Sequence, residues 1–251
     1  VETSESPAKD PCFLRSERSP AFARFCERVY GKMLNQYGTA DVDQLDLLLK
    51  VLALNAGSHA LDVGCGTGST TQYLSDQCGA KFTGIDISEP CIRRALELAQ
   101  VSSGRLTFRV GTMDALDFPP ASFDAVIAIE SLYFPKDLAG AISQFKTVLR
   151  TGGQMALFYT HIAAAPGGAV GPGDTKLAAA LQNSGIEFNA HDLSVSDRRF
   201  WQRSKQAAEE LRADFEAEGN DDLTHQGETD AVLELIRQGR HARYLYHVQL
   251  P

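Results

Sequence analysis

"HALDVGCGTGSTTQYL", residues His59 to Leu74, decides how this chain is read. An apolar run ends in Asp62, glycines fall at positions 64, 66 and 68, and a helix begins directly after them. Glycine admits positive φ and lets a ligand approach the bare backbone, while the first amides of a following helix attract an anionic group. In open α/β sheets such a loop lies beyond the carboxyl end of a strand, where ligands bind. Twenty residues past Gly66 stands Asp86, closing the strand-like run KFTGIDI, and a carboxylate there can accept both hydroxyls of a ribose. A tight strand-to-helix turn without a ligand would also use glycine. The coincidence of glycines, helix start and distant carboxylate favours the ligand. The spacing is GxGxG: Ser69 holds the position that would complete the dinucleotide fingerprint, and no Gly-Lys-Ser/Thr follows to make a P-loop.

Outward from this loop the pattern alternates. HALDV, KFTGIDI, RLTFRV, FDAVIAI and GQMALFYTH read as strands, and FDAVIAI is apolar throughout, as a strand covered on both faces should be. Between them Ser69 to Cys78, SEPCIRRALELAQ (with Ser88 as N-cap) and the Leu138, Ile142, Phe145, Leu149 stripe read as helices. This rhythm implies parallel strands joined by right-handed crossovers. Upstream, helices are expected from Phe22 and from Val42. Downstream, a glycine- and proline-rich loop at 163–174 precedes a short helix capped by Asp174 and a strand in IEFNAHDLS. Further helices carry Phe200, Ala207, Ala208, Leu211 and Phe215, then Val232, Leu235 and Ile236. The last strand, ARYLYHVQL, sets Arg243, Leu245, His247 and Gln249 against Tyr244, Tyr246 and Val248. The charged run EELRADFEAEGNDD reads as a solvated helical face.

With 251 residues, 43% of them hydrophobic and 22% charged, the chain has the profile of a globular protein of one sizeable domain. A net charge of −8 disfavours a nucleic-acid partner. The five cysteines (Cys12, Cys26, Cys65, Cys78 and Cys91) show no CxxC pair, so neither a disulfide framework nor a zinc cluster is expected, and a reducing cytoplasm is the simplest location. The start, VETSESPAKDP, lacks an apolar core, so no signal peptide is expected, and no apolar stretch is long enough to span a bilayer.

ALDVGCGTGSTTQYL with FTGIDIS resembles the class I S-adenosylmethionine-dependent methyltransferases. GTMDALDFP resembles that family's adenine-holding segment, FDAVIAIESLYF its fourth strand and following loop, and LRTGGQMALF the turn into its fifth strand. The resemblance covers about residues 58–160 and points to the small-molecule, type 11-like subgroup. It implies a Rossmann-like α/β fold with a mixed seven-stranded sheet of order 3-2-1-4-5-7-6, the last strand antiparallel. Residues 1–20 would form a flexible arm, 21–57 cap helices, 58–194 and 241–251 the core, and 195–240 a helical insertion or lid. It also implies S-adenosylmethionine as cofactor, S-adenosylhomocysteine as product, and in-line methyl transfer to an O, N or C atom of a small metabolite.

On that resemblance Gly64, Cys65, Gly66 and Gly68 line the methionine moiety, and Asp62 orients the loop or the cofactor's amino group. Asp86 and Ile87 hold ribose and flank adenine, Met113 and Asp114 meet the adenine, and Tyr37 and Glu130 face the cofactor. Two departures stand out. Thr112 replaces an acidic residue common before the methionine, and ESLYF replaces the Asn-Pro-Pro-Tyr type of loop used for amino methylation of nucleic acids. Candidate catalytic residues are His161, as a general base at the end of the fifth strand, with Glu130 and Tyr133 after the fourth. Tyr133 and Phe134 would stack on an acceptor or pack their loop. Trp201 would anchor the insertion or plug a pocket. The histidines show no metal-ligand spacing, so no metal is expected. The alternatives are a protein or RNA methyltransferase, a cofactor-binding protein without turnover, and a nicotinamide dehydrogenase. The oligomeric state, monomer or homodimer, is open.

Overall fold

The computed structural model describes residues 15–36, 38–101, 104–224 and 226–251. In chain order the elements are α1 (Pro20–Tyr30), α2 (Val42–Leu52), β1 (His59–Val63), α3 (Ser69–Cys78), β2 (Lys81–Asp86), α4 (Glu89–Val101), β3 (Leu106–Val110) and β4 (Phe123–Ala128). There follow α5 (Leu138–Val148), β5 (Leu149–Ile162), α6 (Lys176–Asn183), β6 (Asn189–Asp192), α7 (Ser194–Glu210), α8 (Arg212–Glu218), a 3-10 turn (Asp221–Thr224), α9 (Gln226–Arg237) and β7 (His241–Gln249).

The seven strands form one sheet of order β3-β2-β1-β4-β5-β7-β6, with β7 antiparallel to both of its neighbours. Successive residues of the central strands serve opposite faces. Ala60, Ala125, Ile127 and Phe158 join one core cluster with α1 to α4 and α7, and Leu61, Val126, Ala128 and Leu157 join the other with α5 and α6. Burial on both sides explains why these strands read as unbroken apolar runs. Strand order reverses between β1 and β4, and the crevice at that reversal places the loop after β1 against the loop after β4.

Local chemistry sets the helix ends. The Ser19 hydroxyl accepts from the Phe22 amide at 3.0 Å, with Pro20 in the first turn, so α1 opens two residues before the expected Phe22. Asp174 does not cap α6. Thr175 does, accepting from the Ala178 amide at 2.9 Å, while Asp174 closes the preceding loop through the Gly171 amide at 2.8 Å. The described part of the arm makes side-chain contacts with the rest of the chain. Arg15 pairs with Asp222, the Ser16 hydroxyl donates to Asn35 at 2.6 Å, Glu17 pairs with Arg94 at 2.6 Å, and Ser19 donates to Glu218. Short polar side chains there find partners on the late helices, on α4 and on the loop after α1.

The amino-terminal and late helices pack on each other as one cap. Phe25 meets Phe215 with ring centroids 6.3 Å apart, Tyr30 meets Phe200 at 5.3 Å, and Arg24–Asp214 and Arg28–Glu210 pair across the rim at 3.0 and 2.6 Å. Among the described residues no helix is long and apolar enough to cross a membrane.

Candidate active site

The glycine loop turns left-handed at each of its glycines: Gly64, Gly66 and Gly68 have φ of 82, 54 and 82°. Its start is pinned to β2, because the Gly64 and Cys65 amides both donate to the Ile85 carbonyl, at 2.8 and 3.0 Å. The Asp86 carboxylate braces it from the side, accepting from the Gly66 amide at 2.9 Å and the Ser88 amide at 2.8 Å. Beneath the loop lies the Phe108 ring. A Cβ on Gly68 would come within 2.7 Å of that ring, and one on Gly84 within 2.5 Å. Gly84 is thus a second requirement of the loop, hidden inside the β2 run. A Cβ on Gly66, by contrast, would meet nothing within 4 Å. That side of the loop is open.

Asp62 is buried below the loop, its carboxylate accepting from the Thr71 hydroxyl at 2.6 Å. Burial pushes its pKa up to about 6, against the Thr71 hydrogen bond, and the charge of Asp86 adds to the rise. The Cys65 thiol is buried and pushed well above its ordinary value by desolvation, which makes it a filler and not a nucleophile. At the outer ends of β2 and β3, Ile87 and Val110 are each half exposed, an apolar frame at the mouth of the crevice. Met113 packs at the edge of the second core cluster, and Asp114 is exposed, accepting from the Lys136 amide at 3.0 Å. Tyr37 lies outside the described residues.

Across the crevice, Ser131 ties the two loops together by donating to the Val63 carbonyl at 2.6 Å. Next to it Glu130 has φ 53°, a left-handed conformation that costs a non-glycine residue of order 1–2 kcal/mol. Its carboxylate is held by Arg243 of β7 and by the Tyr133 hydroxyl at 3.2 Å, and that hydroxyl accepts from the Thr160 amide at 2.6 Å. Burial raises the Tyr133 phenol far above its ordinary value, so it stays protonated.

Arg243 joins separate elements. It is fully buried and bonds Gln44 at 3.1 Å, Thr39, Thr160 at 3.3 Å and Glu130, with Asp197 of α7 at 3.7 Å. Asp197, also buried, accepts from the Trp201 indole at 3.1 Å, and burial lifts its pKa to about 6. His241 lies 3.5 Å from it and is held neutral, its pKa lowered to about 4 by burial and by the Arg243 charge. Sequence reading passed over this cluster. Its signal was an arginine between the apolar Ala242 and Tyr244 of the last strand.

The structure does not bring His161 to this group. Thr160 faces Arg243, so on an extended strand the next residue points to the other side, and the His161 ring meets the Ala169 carbonyl at 3.2 Å. Trp201 bonds Asp197 within α7 and lines a cavity.

That cavity lies under the cap, between α1, the loop 35–39, α7, the 3-10 turn and α9. Its wall adjoins the glycine loop. Gln36 accepts from Thr70 at 2.8 Å, the Asn35 carbonyl accepts from Thr67 at 3.0 Å, and a Cβ on Gly38 would lie 3.4 Å from the Glu130 side chain.

Comparison with known proteins gives this crevice a family. The family described as Methyltransferase domain matches residues 60–153. The 27-O-demethylrifamycin SV methyltransferase of Amycolatopsis mediterranei (strain S699) is 31% identical over 220 residues, 76% of this chain and 80% of that protein. O-methyltransferase resE of Aspergillus sclerotiorum is 37% identical over 108 residues, 42% of this chain but only 41% of its own length. Among solved structures, Haemonchus contortus phosphoethanolamine N-methyltransferase 2, in complex with phosphomonomethylethanolamine and S-adenosylhomocysteine, has a TM-score of 0.78 at 16% identity, covering 95% of this chain and 60% of that one. It therefore shares the fold, cap included. By its sheet order, its glycine loop and its relatives, the chain belongs to the class I S-adenosylmethionine-dependent methyltransferases that act on small molecules.

Proposed function

We propose that the methyl donor lies over the glycine loop and that the acceptor enters the cavity under the cap, with transfer taking place beside Glu130. The observation that carries this reading is the position of Gly38, which lines the cavity and sits against Glu130 and Ile129. Cavity and crevice thus meet at one point.

The residues present suit the donor. Its methionine end fits the open side of Gly66, among the bare backbone of Gly64, Cys65 and Gly68, with Asp62 beneath. Asp86 presents a carboxylate to the ribose, and Ile87 and Val110 offer exposed apolar surface to a base, with Met113 and Asp114 at its edge. Tyr37 belongs to the same set by its place between Gln36 and Gly38. When bound, the sulfonium supplies a methyl group that is already activated. The protein's share is to fix the acceptor in line and to keep water out.

Glu130 presents a carboxylate to the acceptor end, to bind its polar group or take its proton. Tyr133 donates to that carboxylate and stays protonated, so it positions Glu130 and is no base. His161 has no part in this assignment. The acidic surface and the covered cavity suit a small acceptor in the cytoplasm and disfavour a nucleic acid.

Incubation with methyl-labelled S-adenosylmethionine and a metabolite extract is expected to label a small product, and Asp86→Ala is expected to weaken S-adenosylhomocysteine binding about 10- to 100-fold by calorimetry, as fits the loss of charge-assisted hydrogen bonds. An unlabelled extract, or unchanged affinity in the variant, would overturn the reading.

A further inference from the structure

We infer that Arg243 and Asp197 are positioning residues for methyl transfer: together they tie the Glu130 carboxylate to helix α7, so that Glu130 takes its working position only while the cap is docked. The inference rests on the reading that Glu130 faces the acceptor, and goes on to say what holds it there.

Both oxygens of the Glu130 carboxylate are held. Arg243 Nη1 pairs with Oε1, and the Tyr133 hydroxyl donates to Oε2 at 3.2 Å. Thr160 serves both holders. Its amide donates to the Tyr133 hydroxyl at 2.6 Å, and its own hydroxyl accepts from Arg243 at 3.3 Å, where the two residues stand opposite each other in the β5–β7 pairing. Glu130 thus cannot turn without moving Arg243 or Tyr133. Arg243, in turn, is fixed by more than the sheet. Its Nε donates to Gln44 of α2 at 3.1 Å and lies 3.7 Å from Oδ1 of Asp197, in the first turn of α7. The other oxygen of Asp197, Oδ2, accepts from the Trp201 indole one turn along the same helix, at 3.1 Å. One guanidinium is therefore shared between the loop after β4 and the cap.

Stability does not account for this arrangement. Two buried carboxylates and one buried guanidinium carry a desolvation cost that is recovered only when the remaining hydrogen-bonding atoms are also satisfied. Here Glu130 Oε1 and Asp197 Oδ1 are buried and meet Arg243 as ion pairs only, and among the described residues Arg243 Nη2 has no hydrogen-bond partner. Glu130 is also held in the left-handed region, at φ 53°. Strain of that kind persists where the surrounding structure imposes it, most often at active sites. Arg243 and Asp197 supply that imposition from β7 and from the cap.

The test compares Asp197→Asn, Glu130→Gln and the double variant with the unaltered chain. Asparagine keeps an acceptor for the Trp201 indole and removes the charge that shares Arg243. Label transfer from S-adenosylmethionine into a metabolite extract, at saturating donor, is expected to fall about 10- to 100-fold in Asp197→Asn, the scale set by small displacements of a reacting group, with donor KM and S-adenosylhomocysteine affinity within about twofold. In the Glu130→Gln background Asp197→Asn should slow transfer no further, because its effect passes through Glu130. A rate unchanged by Asp197→Asn, or full additivity in the double variant, would overturn the inference and leave the role of Glu130 standing. A rate unchanged by Glu130→Gln would sink that role and this inference with it. A second arm needs no turnover and also serves if Asp197→Asn fails to fold. Trp201 is the chain's single tryptophan and donates to Asp197, so Glu130→Gln is expected to shift its emission by way of Arg243 and Asp197. Emission identical to that of the unaltered chain would overturn the inference, whereas an extract that takes no label beside a shifted emission would sink the functional reading.

Discussion

Gly64 and Gly66 stand two positions apart in one loop, yet a methyl group added to each meets different things. On Gly64 it would collide with the Ser131 side chain at φ 82°, and on Gly66 it would enter open space at φ 54°. Gly66→Ala is therefore expected to cost only about 1–2 kcal/mol of stability, from backbone strain, while sharply weakening S-adenosylhomocysteine binding in calorimetry. Gly64→Ala is expected to lower Tm further, because Ser131, and with it the loop after β4, must move. Asp62 adds a pH signature. A carboxyl whose native pKa of about 6 lies above its unfolded value of 3.8 has no net effect on stability once both states are protonated. Its cost develops as pH rises from about 4, and is complete above about 6. A shift of about two units corresponds to about 3 kcal/mol. Asp62→Asn should thus stabilise the ligand-free protein at pH 8 by up to that amount, with the gain fading by pH 4 in denaturant titrations. A gain that grows on acidification would contradict the assignment.

Among the elements, β7 and the cap carry the testable consequences. Arg243 holds two buried carboxylates, so Arg243→Gln leaves both without their cation and should cost about 3–5 kcal/mol in chemical denaturation. The cap rests on rings more than on its rim of ion pairs. Exposed pairs such as Arg24–Asp214 and Arg28–Glu210 contribute about 0–1 kcal/mol each, whereas fully buried Phe215 should cost about 3–5 kcal/mol when cut to alanine. Hydrogen exchange of Phe215→Ala is expected to show α1, α7 and α8 losing protection together while β1, β4 and β5 keep theirs. Loss confined to α8 would mean that the amino-terminal and late helices are separate lids.

For the whole molecule, sheet order and cap set the glycine loop and the cavity on opposite sides of one junction, the meeting of the β1 and β4 loops. A ligand that bridges such a junction stabilises the folded chain by mass action. S-adenosylhomocysteine at a hundred times its Kd should add about 3 kcal/mol and raise Tm by about 5–10 °C for a chain of this size. Asp86→Ala should show a much smaller rise at the same concentration.

The glycine loop, Asp86, the alternation of strands and helices and the late helical insertion were legible in the sequence, because each is written in neighbouring residues: turn chemistry, period and burial pattern act over a few positions. The antiparallel last strand and the sheet order came from the family resemblance, and the topology bears them out. What only the tertiary structure decided was which distant side chains meet. In sequence, Arg243 alternates with Leu245 and His247 as a polar residue on an ordinary strand face. In the fold β7 lies between β5 and β6 with Thr160 opposite Arg243, and the same guanidinium reaches Glu130, Gln44 and Asp197 from three other elements. For His161 the converse holds: its place at a strand end was readable, but which face it takes depends on a register set by long-range pairing.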